Sequence, residues 1–210
     1  MKKIKVALSL LDQATISVIG FAIVIALAKT HAISGLALYN KIMIIATFFM
    51  MANNSASITL LNSFGGNKTV NISERDVVTT SFSISLSLSI IGIVVPLFFF
   101  PIKEGIWVST FLFLLSIRDY SRKLAFYFDK TKEIILSTTI VTLIFCGCTI
   151  AYLNGNITSE TYIFSSLIGS CATYLSIFPF KMLSEGKVIL NKTTLNFSGW
   201  QFLSSLLLWG

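Results

Sequence analysis

Four formal charges, Arg118, Asp119, Arg122 and Lys123, follow directly on the apolar run from Gly105 to Ile117. Residues four apart on a helix share a face, so Arg118 and Arg122 point the same way, and Asp119 reaches Arg122 at i+3 or Lys123 at i+4. One acid among three bases leaves the segment net positive. Two guanidinium forks on one face suit an anion such as a phosphate or pyrophosphate. The competing reading is that these long side chains snorkel to water and only fix the orientation of a helix. Asp12, in "SLLDQATISVIGF", is the other charge inside an apolar run. The helical turn predicts a polar stripe of Asp12, Gln13, Ser17 and Gly20, opposite an apolar face of Ala14, Val18, Phe21 and Ile25. Lining a cavity, that stripe could hold a proton, a sodium ion or sugar hydroxyls. Alternatively Asp12 is a helix-start carboxylate near the headgroups, favoured there by the macrodipole.

The elements that position these charges are membrane spans. Mean hydropathy is +0.82, with 54% hydrophobic and 12% charged residues, against about 25% charged in soluble domains. A helix crossing the hydrocarbon core needs ~20 mostly apolar residues. That template predicts an all-α, polytopic helix bundle with six complete spans at 7–28, 42–61, 77–100, 105–128, 134–153 and 161–180. A seventh opens at Phe197 with "FSGWQFLSSLLLWG", which at 1.5 Å per residue reaches only about 21 Å. The expected organisation is a six-helix bundle over residues 1–192 and, over 193–210, the start of a truncated seventh helix. The fourth span must run through the charges, because Gly105 to Ile117 gives about 20 Å of helix against a core of roughly 30 Å. Continued to Phe128, it ends in an interfacial belt of Phe126, Tyr127 and Phe128. Arg118, Arg122 and Lys123 then fall within the inner leaflet, where charges normally face a bundle interior or a wet cavity.

Sorting the loops by side leaves Lys29, Lys41 and Lys103 outside and every other one of the 16 Lys and Arg inside. The N-terminus is therefore expected in the cytoplasm, and the net charge of +7 belongs to inner-leaflet anchoring, not to nucleic acid. Met1, Lys2, Lys3, Lys5 and Ala26-Leu27-Ala28 imitate a signal peptide, but Asp12 and Gln13 interrupt the apolar core and favour a retained span. "TTSFSISLSLSI", Thr79 to Ile90, alternates with the period of a barrel strand. The pattern does not recur, so a helix is expected. Its serines, Ser81, Ser85 and Ser89 on one face and Ser83 and Ser87 on the other, suit close packing between neighbours, and Pro96 is placed to kink it.

Nothing predicts covalent chemistry. Cys146, Cys148 and Cys171 sit in apolar runs as small hydrophobes, without the spacing of a metal site. His31 lies in a short outer loop without a nucleophile. "GGNKT", Gly65 to Thr69, lacks the order of a phosphate loop and reads as a cytoplasmic turn. Asn67-Lys68-Thr69 and Asn156-Ile157-Thr158 are given no glycan. The expectation is a non-enzymatic protein without cofactor or metal.

"LLDQATISVIGFAIVIALAK" and "SGLALYNKIMI" resemble the first two spans of the polysaccharide-export flippases that carry lipid-linked O-antigen and capsular repeat units. Asp12, Gln13, Phe21, Lys29, Gly35 and Tyr39 match that family's opening D-Q pair, mid-helix Phe, closing basic residue, and Gly and aromatic of the next span. "SIRDYSRKLAFYFDK" is similar to its basic fourth-span end and "GWQFLSSLLLWG" to the opening of its seventh helix. Lys29 stands where Arg is more usual, and Ile33 and Ser34 replace an acidic residue. The resemblance implies a multi-pass protein of the bacterial cytoplasmic (inner) membrane that flips polyprenyl-diphosphate-linked oligosaccharide by alternating access. Arg118, Arg122 and Lys123 would neutralise the diphosphate, Asp12 and Gln13 would contact sugar or a coupling cation, and Asp119 would serve charge pairing. Implied partners are that substrate, membrane lipids, and polysaccharide polymerase or glycosyltransferase machinery, with no nucleic acid. Such flippases have twelve or more spans in two related bundles, of which this chain supplies one. Two alternatives stay open: a truncated, transport-inactive or partner-dependent membrane subunit, and a multidrug exporter of the same superfamily.

Overall fold

Three connections are made by the same backbone device. In a computed structural model, which describes residues 2–60, 73–177, 186–188, 196 and 198–204, His31, Asp129 and Gly155 take left-handed backbone angles (φ 54°, 59° and 75°). After each, the next N–H reaches back five residues: Ala32 to the Leu27 carbonyl at 3.0 Å, Lys130 to Ala125 at 2.9 Å and Asn156 to Ala151 at 2.9 Å. This closes the free carbonyls of a helix end and turns the chain sharply. Gly155 pays no steric cost there, while His and Asp are among the side chains that tolerate the region.

The described residues are mostly helical, with no strand among them. In order they form α1 (Lys2–Lys29), α2 (Ile33–Asn53) continued by a π-helical segment (Asn54–Ile58), α3 (Glu74–Val94), a short α4 (Pro96–Phe99), α5 (Ile102–Tyr127), α6 (Thr131–Leu153), and α7 (Ser159–Ala172) continued by a 3-10 turn (Thr173–Ile177); residues 198–204 are again helical. Four stretches, Leu10–Lys29, Ile33–Ile58, Glu74–Phe99 and Lys132–Leu153, are long and apolar enough to cross a membrane. Among the described residues these four are the ones with that character, fewer than the six expected. The second starts nine residues before its expected position, because the His31 turn fixes where α2 can begin and the polar Ser34, Asn40 and Lys41 do not interrupt it. α5 begins three residues before the expected 105–128 and ends one residue short of it; its 26 residues, about 39 Å, run unbroken through the charged segment. Its charges set it apart from the four apolar stretches. The turn expected at "GGNKT" lies outside the described residues.

The chain divides into two compact units, Met1–Ile45 with Ser121–Ile177, and Ala46–Tyr120 with Phe178–Gly210. In the first, α1 packs on α6 and α6 on α7. The packed face of α1 carries Asp12, Ile19, Ile23, Ala26 and Leu27, all buried, while Val18, Phe21 and Ile25 are exposed, as large apolar side chains facing lipid would be. At one end Tyr152 and Tyr162 stack with ring centres 4.6 Å apart, Thr30 Oγ1 hydrogen-bonds the Tyr152 hydroxyl, and Tyr39 donates to the Gly20 carbonyl at 3.3 Å. A Cβ on Gly35 would lie 3.0 Å from Ser159 Cβ and 3.2 Å from Leu27, so its small size serves close packing.

In the second unit, α3 buries Ser81, Ser85 and Ser89. Ser83 and Ser87 are less covered and bond back to Thr79 and Ser83 carbonyls at 2.9 Å, so α3 is closely packed on one serine face and not on both. Pro96, which lacks an N–H, opens α4 after the break at Val95. Side chains bridge the elements of this unit at the π segment: Ser57 donates to the Ser81 carbonyl of α3 and Ser198 to the Ala56 carbonyl, both at 2.7 Å. The Tyr120 hydroxyl lies 2.7 Å from the Val78 carbonyl and 2.8 Å from Ser81 Oγ. Ser81 keeps its own bond to Val78, so Tyr120→Phe strands no acceptor. Its expected cost is about 1 to 2 kcal/mol, measured by denaturant unfolding in mild detergent.

Candidate functional site

Asp12 is 1% exposed and lies two residues into an apolar stretch. A bare carboxylate there would be expensive. It is held from three other elements of its unit. Arg122 Nε, on α5, donates to Oδ2. Thr138 Oγ1, on α6, donates to Oδ1 at 2.7 Å, and the Tyr174 hydroxyl, from the 3-10 turn, donates to the same oxygen at 2.9 Å. Thr138 and Tyr174 also approach each other at 3.3 Å. Both carboxylate oxygens are thus engaged, and the ion pair is internally neutral. Removing one member of such a pair leaves an uncompensated buried charge, which is far more costly than the pair itself is worth.

The expected polar stripe on α1 is corrected by this placement. Gln13 and Ser17 are exposed and do not share the packed face with Asp12. The reason is angular. Residues 12, 19, 23 and 26 fall within about 60° of one another at 100° per residue, whereas 13 and 17 lie about 100° and 140° round the helix from Asp12. Gln13 therefore does not join Asp12 in one site, and the mate of Arg122 is Asp12, 110 positions away, where spacing along α5 had offered Asp119.

Arg118 and Arg122 share a face of α5, one turn apart. Both are buried, 6% and 9% exposed, so neither snorkels to the surface. Their circumstances differ. Arg122 is matched by Asp12, but Arg118 Nε is buried without a hydrogen-bond partner among the described residues. Asp119 is also buried, and Lys123 is half-buried. Thr138 and Tyr174 are the partners of Asp12 that sequence reasoning missed; the signal in the sequence is that Thr138 lies early in α6 and Tyr174 just after α7, which the alternating order of the expected spans puts on the same side as Asp12.

A cleft of about 200 Å³ opens beside the ion pair, between α1 and α6, with Asp12 and Thr138 in its wall together with Leu11, Thr15, Ile135 and Thr139. Among the described residues no group of three or more His, Cys, Asp or Glu could hold a metal ion. Chemically, the first unit offers a closed ion pair beside a mostly apolar cleft, and the second a buried Arg118 Nε–H without a partner among the described residues. No protein-family model, no curated protein and no solved structure matches the chain.

Proposed function

We propose that the chain is the N-terminal bundle of a flippase that moves lipid-linked oligosaccharide repeat units across a bacterial cytoplasmic membrane for surface polysaccharide synthesis. The observation that carries this reading is the buried, unmatched Nε–H of Arg118 in a chain with several helices apolar enough to cross a membrane. A guanidinium in such surroundings is costly unless an anion visits it, and its forked donors fit the oxygens of a phosphate or diphosphate. An organic cation, the usual cargo of a multidrug exporter, would meet repulsion at Arg118.

On this reading α5 and α7 also span, α7 with its 3-10 extension, completing six spans with the N-terminus in the cytoplasm; the helical residues 198–204 open the seventh. Arg118 receives the diphosphate at the inner leaflet, the Asp12–Arg122 pair holds α1, α5, α6 and the end of α7 in register, and transport proceeds by alternating access. No bond is made or broken. Deleting the gene is expected to deplete surface glycan, seen by staining, and complementation to restore it. Unchanged surface glycan would overturn the reading.

A further inference from the structure

We propose that the cleft between α1 and α6 seats one alkyl chain of an anionic membrane phospholipid, with the lipid phosphate against Lys132. Both walls belong to stretches apolar enough to cross a membrane, Leu10–Lys29 and Lys132–Leu153. The cleft lies near the beginning of each. Leu11, exposed beside Thr15, forms one wall; Ile135, Thr139 and Thr142 form the other.

The threonines give this wall a polar sequence and an apolar surface. Thr15 donates its hydroxyl proton to the Leu11 carbonyl at 2.9 Å, Thr139 to Ile135 at 2.8 Å and Thr142 to Thr138 at 2.9 Å. Their methyl groups remain for contact. The carboxylate in the wall, Asp12, is already neutralised by Arg122 and bonded on both oxygens. A sugar would find its donors unanswered, whereas a hydrocarbon chain meets no unmatched charge. From Ile135 to Thr142 the wall rises about 10 Å, a third of the ~30 Å hydrocarbon core, and a cleft of about 200 Å³ admits one slender chain.

The headgroup end is set by α6 itself. Lys132, Ile135, Thr139 and Thr142 stand at i, i+3, i+7 and i+10, a single stripe along the helix. Lys132 is exposed and is the first residue of the membrane-crossing stretch, so its ammonium lies at the phosphate level of a chain lying along that stripe. Glu133 is exposed too, but about 100° round the helix. This proposal does not rest on the transport reading.

The test places the full chain in nanodiscs of equal phosphatidylglycerol and phosphatidylcholine and counts lipids retained on release into the gas phase of a native mass spectrometer. Wild type is expected to keep one phosphatidylglycerol in preference to phosphatidylcholine. Lys132→Gln should lower that preference about fivefold, the factor for one basic residue at an anionic surface. Thr139→Trp, which fills the cleft, should lose the retained lipid, while Thr139→Val, which keeps its volume, should not. Equal retention of both lipids by wild type, or an unchanged preference in Lys132→Gln, overturns the proposal; so does retention by Thr139→Trp at the wild-type level.

Discussion

Arg122→Ala destabilises the protein by about 3 to 5 kcal/mol, the cost of leaving one member of a buried ion pair without the other. The stranded group is Asp12, 1% exposed, whose remaining partners Thr138 and Tyr174 both bond Oδ1 and leave Oδ2 bare. Asp12→Ala strands a guanidinium instead and is expected to cost a similar amount. Joint replacement behaves differently. Asp12→Leu with Arg122→Leu removes both charges, and Thr138 and Tyr174, already 3.3 Å apart, can satisfy each other. The double variant should therefore recover most of the loss, since apolar replacement of a buried pair is often neutral. Denaturant unfolding of the four proteins in mild detergent checks this. Equal stability of wild type and Arg122→Ala would mean that the pair holds nothing.

Hydrophobic length made much of the helical layout legible. Thr79 to Ile90 alternates as a strand would, yet it is helical, because no second alternating segment is available to pair with it. The continuity of α5 through its charges followed from a length argument: a helix stopping at Ile117 would be too short to cross. Pairing was not legible. Asp12 and Arg122 are 110 positions apart, and helical spacing supplies only neighbours three or four residues away, so Asp119 stood in for a mate that tertiary packing provides. The face of α1 was misjudged for a related reason. Grouping by polarity put Gln13 and Ser17 beside Asp12, but burial follows the apolar stripe of Ile19, Ile23 and Ala26, onto which the paired Asp12 fits once its charge is matched.

Arg118→Ala has the opposite signature to Arg122→Ala. With no hydrogen-bond partner for its Nε among the described residues, removing the guanidinium strands no described group, so the expected loss is only the packing of a buried stem and is smaller than that of Arg122→Ala. If the proposed function holds, the loss falls on transport. A charge-assisted hydrogen bond to a phosphate contributes about 1.5 to 3 kcal/mol, so the rate of lipid-linked substrate movement should fall roughly tenfold to a hundredfold. Arg118→Lys keeps the charge but not the planar fork and should fall between. On the proposed function the two arginines one turn apart on α5 separate: Arg122 serves the fold through Asp12, and Arg118 would serve an anionic ligand.

That separation is tested most directly by binding. With the full chain in nanodiscs and an isoprenyl diphosphate as the probe, wild type is expected to bind at least about tenfold more tightly than Arg118→Ala, with Arg118→Ala still folded and more stable than Arg122→Ala. Equal affinity of wild type and Arg118→Ala for the diphosphate lipid would contradict the account.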